Sequence, residues 1–215
     1  MRIRMSKLAR YPLAIAAGLL VQLTSTSVMA GEYYTIKDGE LQRPTGYREW
    51  VYVGTPLTPN ELNDGKAAFP EFHNVYIDPE SWAHWKKTGE FRDGTILMKE
   101  LISVGTKTAV SGKGYFMGEF VGLEATIKSK QHFRDEPGNW AYYSFSSKDH
   151  KTLSETAKPF PAAACNACHA GAAKDDFVFT QFYPVLSAGK GAGEKASGGF
   201  DADLMNHYVE PQAKK

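Results

Sequence analysis

The chain has 215 residues, with 25 lysines and arginines against 24 aspartates and glutamates, for a net charge of +1. That balance excludes a nucleic-acid binder recognised by charge. The length suits one domain of about 150 residues with terminal extensions, enough to bury a real core.

The first thirty residues carry Arg2, Arg4, Lys7 and Arg10, an apolar run from Pro12 to Leu23, and Val28-Met29-Ala30. These are the charged, apolar and small-residue segments of a secretory signal peptide. The apolar run is short against the ~20 residues of a membrane-spanning helix. Cleavage after Ala30 leaves 185 residues beginning at Gly31 and takes the net charge from +1 to −3. The expected domains are residues 1–30 as signal, 31–187 as one folded domain and 188–215 as a flexible Gly-, Ala- and Lys-rich tail. A periplasmic location follows, with no membrane association after cleavage.

Residues 31–46 read as a polar, turn-rich arm. Trp50–Val53 is the first strand-like run. Thr58-Pro59-Asn60-Glu61 reads as a short helix start, and Asn74–Ile77 as a second strand. A helix follows with Asp78 as cap, Pro79 at its first position, Lys86 and Lys87 in its last turn and Gly89 at its end. Trp82 and Trp85 share its buried face as core.

Past a turn at Asp93-Gly94, Thr95–Val104 alternates as a strand. Ile96, Met98, Glu100, Ile102 and Val104 share one face; Leu97, Lys99 and Leu101 share the other. An ammonium between two leucines is costly unless it snorkels, is paired or is used chemically. A turn at Ser111–Gly114 leads to a strand from Tyr115 to Ile127. Its alternation puts Phe116, Phe120 and Glu124 on one face, with Glu124 either a proton acceptor or an ion-pair partner. Glu136–Asn139 is a turn, Trp140–Phe145 an aromatic strand, and Leu153–Lys158 a helix-permissive stretch. Phe177–Tyr183 is apolar, and Pro184 should end it.

The most specific stretch is Cys165-Asn166-Ala167-Cys168-His169, which holds the only two cysteines. Cys-x-x-Cys-His reads as a c-type haem attachment site. Two thiols one helical turn apart can add to vinyl groups on one porphyrin edge, and the next residue offers an imidazole to the iron. A thioredoxin-like dithiol would follow a strand in a βαβ unit, and none is visible. A zinc site needs four ligands, and there is no second cysteine pair. Small electron-transfer cytochromes carry this motif near the N-terminus of a helical domain, and four-helix cytochromes are helical throughout. Here aromatic strands precede it. The expected fold is α+β, an antiparallel sheet of about five strands with a few helices and the haem held by the C-terminal motif.

Several stretches resemble one family. They are Tyr47-Arg48-Glu49-Trp50-Val51, Thr58–Lys66, Val75–Ser81, His84–Thr95, Glu136–Trp140 and Phe182–Leu186. Together with the haem motif they are similar to cytochrome P-460, a periplasmic c-type haem family of ammonia- and methane-oxidising bacteria. The resemblance runs from about Tyr47 to Leu186. It implies haem c joined by thioethers to Cys165 and Cys168, with His169 as the proximal iron ligand. It also implies a cross-link from Lys99 to a porphyrin meso carbon, an open distal site, and a homodimer. The implied activity is oxidation of hydroxylamine to nitrous oxide or nitrite through an iron-nitrosyl, with handling of nitric oxide and electrons passed to an external acceptor such as a small cytochrome.

Some relatives carry a distal arginine where this chain has His73. A histidine can transfer protons near neutral pH, so His73 and Glu124 are the two candidate distal bases. Two other readings compete. A protein like cytochrome c′-β would bind nitric oxide or carbon monoxide under a cap drawn from Phe69, Phe72, Phe116 and Phe120. A simple electron carrier would use Met98 or Met117 as sixth ligand. Lys99 favours the enzyme.

Overall fold

The computed structural model describes residues 33–193. The expected signal segment 1–30 and most of the expected tail 188–215 lie outside the described residues. Among those described, no helix is long and apolar enough to cross a membrane.

The strands, in chain order, are β1 (Ile36–Lys37), β2 (Glu40–Gln42), β3 (Val51–Gly54), β4 (Phe72–Ile77) and β5 (Ile96–Val104), then β6 (Thr108–Ala109), β7 (Gly112–Lys113), β8 (Met117–Lys128), β9 (Trp140–Ser144) and β10 (Thr156–Ala157). The helices are α1 (Pro79–Thr88), α2 (Ala162–Ala172) and α3 (Pro184–Gly189). Five strands form the main sheet in the order β3-β4-β5-β8-β9, and every pairing in it is antiparallel. The α+β expectation and the five-stranded sheet hold.

β5 lies at the centre and shows why the sheet is two-sided. Its residues alternate between two apolar layers. Ile96 and Met98 join Leu123, Ala125, Ile127, Tyr143 and Phe145 in one core. Leu97 joins Val75, Ile77, Trp140 and Tyr142 in the other, which α1, α2 and α3 cover through Trp85, Cys165 and Leu186. Burial on both faces explains the near-continuous apolar run of β5.

α1 forms as its caps dictate. The Asp78 carboxylate accepts from Ser81 N at 2.8 Å, Pro79 occupies the first turn, and Gly89 closes the helix in the left-handed conformation at φ 75°. Asp78 also accepts from Ile96 N at 3.0 Å, which ties the helix start to β5. Trp85 is 1% exposed, stacks on Phe91 with centroids 4.4 Å apart and donates Nε1–H to Leu186 O at 2.8 Å.

Several boundaries differ from the sequence expectations. The supposed polar arm contains β1 and β2, and Leu153–Lys158 supplies β10 in place of a helix; these three short strands make a separate sheet ordered β1-β2-β10. Thr58 and Pro59 precede a 3-10 turn at Asn60–Leu62, and the Thr58 hydroxyl donates to Phe69 O rather than capping a helix. Pro184 ends the apolar run Phe177–Tyr183 and begins the short helix α3. Phe116 lies outside β8, and a register shift separates the pairs Leu101–Gly122 and Ile102–Phe120. Val121 is therefore bulged. The extra residue breaks the two-residue period, and Phe120 faces away from Glu124.

Candidate functional site

The register of the sheet assembles one functional face. Lys99 is opposite Val75 on β4 and Glu124 on β8, and His73 is opposite Leu101 two residues further along, on the same face. Tyr142 pairs with Thr126, two residues from Glu124. His73, Lys99, Glu124 and Tyr142 therefore share the side of the sheet on which α2 packs.

Lys99 does not snorkel freely. Its Nζ lies 2.5 Å from Glu124 Oε2, with the two side chains about equally and only partly exposed, and 5.0 Å from the centroid of the Phe69 ring. The Phe69 ring meets His73 edge-on at 5.9 Å. His73 Nε2 is buried without a hydrogen-bond partner. Burial, and then the Lys99 charge, push the His73 pKa down to about 4. An imidazole so placed stays neutral at ordinary pH.

On α2, Cys165 and Cys168 are free thiols on one face of a single turn. Burial pushes the Cys165 thiol up; Glu124 adds to this and Lys99 opposes it, so the sheet's ion pair acts on the helix thiol. Asn166, between the cysteines, is 3% exposed and donates Nδ2–H to Trp140 O at 3.2 Å, fixing the helix to β9. His169 donates Nδ1–H to Phe177 O at 2.7 Å. Its ring is held between Tyr142 and Phe179, at centroid distances of 4.5 and 4.6 Å. Burial foremost, with the Lys99 charge, pushes its pKa down. With the proton on Nδ1, Nε2 is left with a lone pair, the state an iron ligand needs.

Haem fits this donor set. Two uncommitted thiols one turn apart, an oriented neutral imidazole and an aromatic, largely apolar surround are what a covalently held haem requires. Zinc does not fit: among the described residues no three His, Cys, Asp or Glu side chains group to hold a metal ion.

The other sequence candidates separate. Of the proposed capping phenylalanines, Phe69 contacts this site through Lys99 and His73. Phe72 and Phe120 both pair with Ile102 on the opposite face, where Arg48 lies over the Phe120 ring. Met98 is fully buried in that opposite core, and Met117 S contacts Asn74 Nδ2 there at 3.8 Å. Neither methionine is on the His169 side, so the electron-carrier reading loses both of its named ligands. Sequence reasoning missed Tyr142 and the Phe177 carbonyl around His169, while Phe179 lies in the apolar run expected to cover the haem edge. Asn166 was in view inside the motif, and its signal was a polar side chain where the helix must face a core.

A thiol-and-imidazole helix laid across an ion-paired face of an antiparallel sheet defines a haem protein. The sequence model of the family described as Cytochrome P460 matches residues 44–180. The chain belongs to the cytochrome P460 family. No curated protein matches it.

Proposed function

We propose that this protein is a periplasmic enzyme that oxidises hydroxylamine and passes the electrons to an external acceptor. Cys165 and Cys168 would hold haem c by thioethers, His169 would be its axial ligand, and Lys99 would be joined to the ring. The observation that carries the reading is the Lys99–Glu124 pair, 2.5 Å apart on the face that α2 covers.

When bound, the haem iron supplies the seat for the substrate nitrogen and the route for its electrons. The remaining work falls to side chains. Glu124 is the favoured proton acceptor, because its charge acts on both Cys165 and His169, which places it electrostatically beside the motif. Committing Lys99 Nζ to a covalent bond would leave the Glu124 carboxylate without its present partner and open to a substrate N–H or O–H. His73, the other candidate, is the weaker one, because the burial and the Lys99 charge that push its pKa down to about 4 also oppose its taking a proton.

The test is Lys99→Leu. The variant should keep haem on Cys165 and Cys168 and lose hydroxylamine oxidation; full activity would sink the assignment of Lys99. Peptide mapping of the wild-type holoprotein should find a haem peptide joined to Lys99. Haem on the two cysteines alone, with nitric oxide or carbon monoxide binding and no turnover, would instead establish the gas-binding alternative.

A further inference from the structure

We propose that Lys128, Asp176 and Trp140 form a positioning device that sets the electron richness of His169 through the Phe177 carbonyl; this rests on the haem reading above.

The first observation is backbone conformation. Asp176 and Phe177 are consecutive non-glycine residues with φ of 41° and 64°. A bulky residue in the left-handed region is unfavourable and persists only where its surroundings over-determine it. Here they do. One Asp176 oxygen pairs with Lys128 Nζ, and the other accepts from Trp140 Nε1 at 3.2 Å. Lys128 and Trp140 are cross-strand partners at one end of the β8–β9 ladder, and Lys128 Nζ lies 5.6 Å from the Trp140 ring centroid. The clamp is therefore fixed to the sheet, not to the loop.

The second observation is the space left for Phe177. Gly138 sits at φ 64°, and a Cβ there would come within 2.5 Å of the Phe177 ring. The third is what the strained residue presents. Its carbonyl is the acceptor for His169 Nδ1–H at 2.7 Å. Holding Asp176 fixes the chain on one side of Phe177, and Val178 N–H donating to Asp175 O at 2.7 Å holds the Phe177–Val178 peptide, which carries the acceptor carbonyl, on the other.

A firm hydrogen bond at Nδ1 makes Nε2 more basic. A more electron-rich axial ligand favours ferric over ferrous iron and lowers the reduction potential. Lys128 and Asp176 do not touch the imidazole; they act on it through Phe177.

The experiment uses the haem-loaded protein and its variants Lys128→Met, Asp176→Asn and Lys128→Arg. The readouts are the midpoint potential and the iron–histidine stretching frequency of the ferrous form by resonance Raman. Lys128→Met and Asp176→Asn should raise the potential and lower the frequency together, and Lys128→Arg should restore both towards wild type. If Lys128→Met does not load haem, Asp176→Asn, which keeps the size and shape of the side chain, carries the test. Loaded, folded variants with both readouts unchanged would overturn the proposal. Wild-type protein that takes up no haem would overturn the haem reading itself, and the haem content of the preparation tells these two failures apart.

Discussion

His73 shows how one residue's surroundings set a measurable property of the fold. Its pKa falls from the ordinary 6.5 to about 4, first through burial and then through the Lys99 charge. As pH drops, the unfolded chain takes up this proton before the folded one does. His73 therefore costs no stability above pH 6.5 and costs progressively more between 6.5 and 4. The depression corresponds to a loss of at most about 3 kcal/mol. Urea unfolding at pH 7.5 and pH 4.5 should show His73→Phe losing less stability over that range than wild type. Parallel losses would mean that burial does not hold the imidazole neutral. Lys99 and Glu124 illustrate the complementary case, since their cost on a partly apolar face is offset by each other.

At the scale of elements, Trp85 links α1 to α3 by its hydrogen bond to Leu186 O and to the segment after α1 by its stack on Phe91. Trp85→Ala should cost about 3–5 kcal/mol, read as a lowered thermal midpoint, and α3 should become the first segment to lose amide protection. Such an element was legible in the sequence because its caps are local: Asp78, Pro79 and Gly89 act within one turn. β5 was legible because both of its faces are written in alternating residues. β1, β2 and β10 were not, because strands of two or three residues are too short to carry a period. The Val121 bulge was also invisible, since alternation assumes that no residue is left over, and this misassigned Phe120. The site divides in the same way. Cys165, Cys168, His169, Lys99 and Glu124 announce themselves by residue type, and the sheet register brings Lys99 to Glu124. The Phe177 carbonyl has no residue signature at all, because every residue carries a backbone carbonyl.

For the whole molecule, the proposed maturation makes a direct mass prediction. Protein recovered from a periplasmic fraction should begin at Gly31 and carry one haem. An N-terminus at Met1 on membrane-bound material would reject cleavage after Ala30. The proposed homodimer should elute on sizing columns at about twice the mass of that chain, and a monomer at working concentration would reject it.

The order Lys99-Glu100 has a consequence for how the sheet avoids misassembly. Lys99 meets Glu124 on one side. Glu100, on the other, accepts from Tyr47 OH at 2.7 Å and pairs with Arg48 at 2.5 Å. Sliding β5 by one residue would exchange the two sides. A slip in one direction would set Lys99 against Arg48, and a slip in the other would set Glu100 against Glu124, so either wrong alignment brings like charges together. Adjacent opposite charges in the middle of an otherwise greasy strand thus work as a registration key, rejecting the nearest wrong alignment before any cofactor is present.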